Sequence, residues 1–194
     1  MRKATIQRET KETQITLDLN LDGKGKTKID TELAYFNHML ELMAFWGRFD
    51  LTLKAKGDIQ IDAHHLIEDV GICLGKAFAQ AWGNRQGIQR IAAVKVPMDE
   101  ALVEAVIDLS GRPYFVAKGY DIVPDIVFGE EKDVFREFFK SVSFSARFNL
   151  HLNWCYGQNG HHLLEASFKA LGLVLKQAIA KNWEGISSTK GVLD

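Results

Sequence analysis

Two copies of His-His-x-x-Glu stand in this chain, one formed by His64, His65 and Glu68 and the other by His161, His162 and Glu165. On a helix the first His of each copy lies four residues before the Glu and the second three, so either imidazole can share a face with the carboxylate. Adjacent helical positions diverge by roughly 100°. Each His-His pair is therefore poorly placed to grip one ion with both rings and better placed to give one ring to each of two ions. His38 and His151 complete the set of six histidines, and six imidazoles with two carboxylates suffice for two sites of four protein ligands each, with positions left open. Such donors suit Mn, Fe, Co, Ni or Zn rather than Ca or Mg. Open positions imply a bound substrate, since a structural zinc is closed by its ligands.

The elements that must carry these residues follow one order twice. Thr5 to Asp22 alternates apolar and polar residues, DGKGK makes a turn, and Thr27 to Ile29 resumes, which predicts a hairpin with Glu12 in its first strand. AYFNHMLELMAFW, from Ala34 to Trp46, is apolar at helical spacing, with Gly47 as its C-cap. DLTLKAKGDIQID alternates with period two and predicts two strands around Gly57, followed by a first metal helix over 64–82. The second pass begins at Arg90, with strands at 93–97, 102–109 and 114–117, a helix over 132–146, a strand over 149–154 and a second metal helix over 161–181. An offset of 97 residues carries His64, His65, Leu66, Glu68, Leu74, Gly75, Gln80 and Ala81 onto residues of the same type. The chain thus reads as an internal duplication, an α+β fold with halves at 1–89 and 90–194, each a sheet with two helices on one face. Setting the two sheets side by side is the economical way to bury both apolar helix faces. His151 has Lys54 at its offset position, so the two ion sites need not be equivalent.

Composition bounds the function classes. The chain has 194 residues, 46% hydrophobic and 25% charged, enough to bury a sizeable core. A formal net charge of −1 offers no electrostatic case for nucleic acid or an anionic membrane. No apolar run approaches the roughly 20 residues of a membrane span, and the opening MRKATIQRET lacks the apolar core of a signal peptide, so a cytoplasmic protein is expected. Cys73 and Cys155 lack CxxC spacing and read as reduced, packed thiols.

Other residues could handle an anion. Arg112, held between Gly111 and Pro113, can present a planar fork, and Arg90 has the same standing. The ending NWEGISSTKGVLD gathers hydroxyls such as Ser188, backbone N–H groups around Gly191 and the cation of Lys190, as a phosphate cradle would. PMDEAL sets Asp99 and Glu100 in a turn, where a solvated and a functional role are both open. Glu12 is a further carboxylate able to act as a base.

Taken in order, FNHML, DAHHLIEDVGICLG, PMDEAL, DLSGRPY, GQNGHHLLEASFKAL and SSTKGVL resemble the imidazoleglycerol-phosphate dehydratase family, and the resemblance spans essentially the whole chain. It implies a manganese hydro-lyase of histidine biosynthesis that converts imidazole glycerol phosphate to imidazole acetol phosphate, with the substrate imidazolate bridged between two Mn(II) ions. It implies two ribosomal-S5-domain-2-like halves, and trimers assembled into 24-subunit shells with ligands shared between subunits. The ligands it implies are His38, His64, His65, Glu68, His151, His161, His162 and Glu165. Arg90, Arg112, Ser188 and Lys190 match phosphate-holding positions, and Glu12 matches a substrate-contacting carboxylate. The base that takes the C2 proton is then Glu12 or, second, Glu165.

Three positions depart from the family pattern. Asn37 replaces an Asp expected to orient His38, Trp46 replaces a His, and Ser187 replaces a Pro. A metal-binding relative with a shifted substrate, or a non-catalytic metal-storage assembly, is the competing reading. A dinuclear hydrolase fits less well, because its sites usually draw on Asp bridges and neither cluster contains an Asp.

Overall fold

The computed structural model describes residues 2–193. In chain order its elements are β1 (Lys3–Glu9), β2 (Thr13–Asn20), β3 (Thr27–Asp30), α1 (Ala34–Gly47), β4 (Asp50–Gly57), α2 (His64–Trp82), β5 (Ile91–Met98), β6 (Ala101–Asp108), β7 (Tyr114–Lys118), β8 (Ile126–Val127), β9 (Glu130–Glu131), α3 (Lys132–Ala146), β10 (Asn149–Tyr156) and α4 (Gly160–Ala178). The two halves repeat one topology. The first sheet runs β1-β2-β4-β3 and the second β5-β6-β10-β7, each antiparallel except for its last pair.

Alternation along β2 and β6 buries one face of each sheet: Ile15, Leu17 and Leu19 point inward from β2, as do Val103, Ala105 and Ile107 from β6. Helix α2 covers β1 and β2, and α4 covers β5 and β6. The helices then pack across the duplication, α1 on α4 and α2 on α3. The sheets are therefore outer layers on either side of the helices rather than side by side, an arrangement that buries the second apolar face of every helix. Phe36 of α1 and Phe138 of α3 both meet Phe168 of α4 in the shared core.

Sequence periodicity misplaces several local features. The hairpin is β1–β2, and Glu12 sits in its turn rather than in a strand. Strand β3 pairs in parallel with β4, because the Asp50 carboxylate takes the N–H groups of Lys24 and Lys26 and ties the DGKGK segment to the start of β4. DLTLKAKGDIQID is one strand followed by a turn closed by Ile61 N–H on the Asp58 carbonyl. The cap of α1 is Arg48 in the left-handed region (φ 58°), while Gly47 is the buried last residue of the helix. Helix α4 stops at Ala178, where the chain leaves to bond with residues 89–90. No helix among the described residues is long and apolar enough to cross a membrane. Cys73 is buried and Cys155 half-buried, both as free thiols.

Candidate metal centre and anion site

Each His-His pair opens a helix, and in each case a side chain two residues upstream of the first His holds that helix start. Asp62 takes the His64 N–H at 2.8 Å, and Asn159, 97 residues on, takes those of His161 at 2.9 Å and His162 at 3.4 Å. Side-chain oxygens satisfy backbone donors that a helix start leaves bare, which fixes where the imidazoles begin their turn. As the spacing requires, the two rings of a pair diverge, with centroids 6.3 Å apart at His64–His65 and 6.2 Å at His161–His162.

The first His of each pair faces its Glu: His64 Nε2 lies 3.4 Å from Glu68 and His161 Nε2 3.1 Å from Glu165. The second His turns Nδ1 to another carboxylate, His65 to Asp58 at 3.1 Å and His162 to Glu100 at 2.6 Å. A carboxylate only accepts, so Nδ1 carries the proton there and Nε2 keeps the lone pair that a metal needs. The same contacts raise the basicity of both rings, chiefly through the hydrogen bonds to Asp58 and Glu100. Glu100 is held down to about 2 by His162 and by the N–H groups of Asn159 and Gln158. Glu100 thus fixes the His162 ring and the start of α4 and is not merely a solvated turn residue; Asp58 was missed in the sequence because it lies outside the His-His-x-x-Glu frame.

Packing of α1 on α4 brings a third imidazole to the second motif. His38 Nε2 lies 3.6 Å from the same Glu165 oxygen that meets His161, and ligand atoms of His38, His161 and Glu165 all fall within 4.8 Å of one another. Lys169, another residue the sequence reading passed over, takes the other Glu165 oxygen at 2.6 Å. Burial pushes the Glu165 carboxyl up, but Lys169 and His161 outweigh it and hold the group below its ordinary value. Phe128, at the tip of the β8–β9 hairpin, packs edge-on against His161 with centroids 4.9 Å apart.

His151 joins neither cluster within the chain. It lies on the exposed face of β10 beside Val106 and Val116, while its neighbours Leu150 and Leu152 point inward toward the helices. Glu68 is half-buried, and among the described residues only His38, His161 and Glu165 gather as a group of three potential ligands. Asn37 does not face His38: its Oδ1 accepts the Thr31 N–H at 2.9 Å and the Thr31 hydroxyl at 2.6 Å, an acceptor role the amide fills as a carboxylate would. Trp46 is partly exposed and packs edge-on against Phe45.

The four residues expected to handle an anion lie around one cavity. Arg90, Arg112, Ser188 and Lys190 line one cavity of about 140 Å³ with Thr189 and the chain end. Arg90 also braces its wall: Nε and Nη2 donate to Asp108 at 2.7 and 3.0 Å, and Nη1 donates to the Ser187 carbonyl at 2.8 Å. Three of its five N–H groups are thereby committed to holding the terminal segment in place. Ser187 needs no proline for this, since its backbone carbonyl makes the contact and its hydroxyl reaches the Ile88 carbonyl at 3.3 Å.

A duplicated α+β fold with imidazole–carboxylate groups at two helix starts and a separate cavity lined by Arg90, Arg112 and Lys190 defines the class of protein to which this chain belongs. The comparisons with known proteins name it. The family model for imidazoleglycerol-phosphate dehydratase matches residues 31–175. The imidazoleglycerol-phosphate dehydratase of Maridesulfovibrio salexigens is 57% identical over 193 residues, covering 100% of this chain and 98% of its own. Among solved structures, the enzyme from Pyrococcus furiosus superimposes with a TM-score of 0.83 at 35% identity, covering 97% of this chain and 100% of its own. That from Staphylococcus aureus gives 0.81 at 30% identity, covering 93% and 99%. The chain belongs to the imidazoleglycerol-phosphate dehydratase family.

Proposed function

We propose that this protein dehydrates imidazole glycerol phosphate to imidazole acetol phosphate in cytoplasmic histidine biosynthesis, using two Mn(II) ions per site in a homo-oligomer of trimers assembled as a 24-mer. The observation that carries the reading is the meeting of His38, His161 and Glu165 at the start of α4. Two imidazoles and a carboxylate with its second oxygen neutralised by Lys169 fit a divalent first-row ion, and Glu100 and Asp58 supply the outer partners that keep ligand rings in the required tautomer. His64, His65, Glu68, His162 and His151 would furnish the remaining ligands. Within one chain neither the His64–His65–Glu68 group nor His151 joins His38, His161 and Glu165, and His151 lies on the far side of a sheet from α4, which supports sites completed by other copies of the chain.

When bound, the ions supply Lewis acidity that stabilises negative charge on a substrate imidazole. The chain supplies the rest. Arg112, Lys190 and Ser188, in a wall braced by Arg90, hold the phosphate, so that binding energy from the unreactive end orients the glycerol chain. The C2 proton needs an acceptor. Glu165 suits a ligand better, because both of its oxygens are engaged and its basicity is lowered. Glu12 is exposed in the β1–β2 turn, close enough to His65 for its charge to raise that ring's basicity, and is the base of choice.

Turnover of imidazole glycerol phosphate by chelator-stripped protein, with and without added Mn(II), tests the proposal through detection of the ketone product. Manganese-dependent product formation is the expected outcome. Manganese binding without turnover would favour the metal-storage or shifted-substrate reading instead. Lys190→Ala is expected to raise KM at least tenfold with manganese content unchanged, because a lost charge-assisted hydrogen bond is worth about 1.5–3 kcal/mol; unaltered kinetics would remove Lys190 from the phosphate site.

Acid should strip the site. Protons and metal compete for the imidazole lone pairs, and His65 and His162 hold protons more firmly than free histidine at about 6.5. Manganese retained after dialysis should therefore begin to fall above that value and be largely lost below about pH 6. Retention of full occupancy at clearly lower pH would contradict the imidazole ligands.

A further inference from the structure

The duplication breaks at one buried acid. Asp69 follows the ligand-type Glu68 on α2, and the residue 97 positions on is Ala166. Both positions are buried against their sheets, so an apolar side chain would serve for packing alone. A carboxylate buried without partners costs several kcal/mol, and Asp69 has partners on both oxygens: the Thr13 hydroxyl donates to Oδ2 at 2.5 Å and Arg8 Nη2 lies 2.8 Å from Oδ1.

Those partners straddle the β1–β2 turn that bears Glu12. Arg8 is on the strand entering it, and Thr13 is the first residue of the strand leaving it. Inside the turn, Thr10 Oγ1 accepts the N–H groups of Glu12 at 3.1 Å and Thr13 at 3.0 Å. The Glu12 carbonyl accepts the Asp58 N–H at 3.1 Å, and the Asp58 carboxylate in turn holds His65. Glu12 itself is exposed, so its place relative to the imidazoles comes from its backbone. In the second half the corresponding turn, between β5 and β6, touches the helix start directly through Glu100, and there the helix position is Ala166.

We propose that Asp69 is a positioning residue for Glu12, clamping both legs of the β1–β2 turn onto the helix that carries His64, His65 and Glu68. The proposal rests on the reading of Glu12 as the base. Without the clamp the turn moves relative to α2, and a base displaced by about 1 Å can lose as much as 100-fold in rate.

The test uses the assembled protein and three variants. Thr13→Val removes the hydroxyl at constant shape, Thr13→Ser keeps it, and Glu12→Gln removes the base. In metal-free protein, amide hydrogen exchange over residues 9–14 and at Asp58 should speed up at least tenfold in Thr13→Val and stay as in the parent in Thr13→Ser. With manganese bound, Thr13→Val should lower kcat about 10- to 100-fold at unchanged KM and metal content, Thr13→Ser should restore it, and Thr13→Val combined with Glu12→Gln should be no worse than Glu12→Gln alone. Unchanged exchange overturns the clamp. Faster exchange with kcat intact, or losses that multiply in the double variant, leaves Asp69 a stability element and overturns the positioning role. Normal turnover by Glu12→Gln overturns the base assignment, and the proposal with it, under a signature distinct from either. Asp69→Asn, which keeps an oxygen for Thr13 but drops the charge facing Arg8, applies the same readouts if Thr13→Val does not assemble.

Discussion

Glu165→Ala is expected to abolish turnover and to weaken manganese binding by more than the 10- to 100-fold typical of residues one shell further out. Glu165 is the one carboxylate that His38 and His161 share, and it is buried. Its removal also leaves the Lys169 ammonium, mostly buried itself, without its partner at 2.6 Å. An uncompensated charge there would repel a divalent cation and cost stability, so the loss should exceed that of His38→Ala, which empties one ligand position and strands no charge. Metal analysis and titration with Mn(II) would check this. Manganese content equal to the parent protein in Glu165→Ala would exclude Glu165 as a ligand.

Gly172→Ala should damage the site from a distance. A Cβ at Gly172 would overlap the Met43 carbonyl oxygen and stand 3.0 Å from the Gly47 N atom, both backbone groups of α1 that cannot swing aside. Forcing the helices apart costs typically about 1–3 kcal/mol, and here α1 carries His38 while α4 carries His161 and Glu165. A lower Tm accompanied by weakened manganese binding is the expected pair of results. Gly75→Ala, which would meet Val142 and Ser145 of α3 at 2.6 Å, is the control: it strains the other helix pair, where α3 contributes no ligand, and should lower Tm without the same effect on the His38 cluster. Equal manganese affinity in Gly172→Ala and the parent would show that helix spacing does not set the cluster.

The glycines illustrate how far one-dimensional reading reaches. Gly75 and Gly172 were visible as equivalent residues of a repeat, but their use, close approach of a helix from the other half, depends on which helices meet. The helix bounds of α2 and α3 followed from period and punctuation, because an apolar stripe and its breaks are local properties. Strand adjacency did not: alternation specifies which side chains turn inward and is silent on whether β3 lies beside β2 or β4. Asp69 escaped attention for the same reason, since its partners Arg8 and Thr13 lie more than 50 residues away in the chain.

The sequence by itself determined the imidazole and carboxylate groups, their duplication, the divergence of each His-His pair and the family, because all of these depend on residue identity and on spacing within a turn or two of helix. Only the tertiary structure decided which of these groups meet. His38 reaches Glu165 through the packing of α1 on α4, Arg90 and Lys190 come to line one cavity through the return of the terminal segment to residues 87–90, and His151 is turned away on the outer face of its sheet. These are contacts between residues distant in sequence, and they arise from how apolar faces are buried against one another, a property of the whole core rather than of any segment of it.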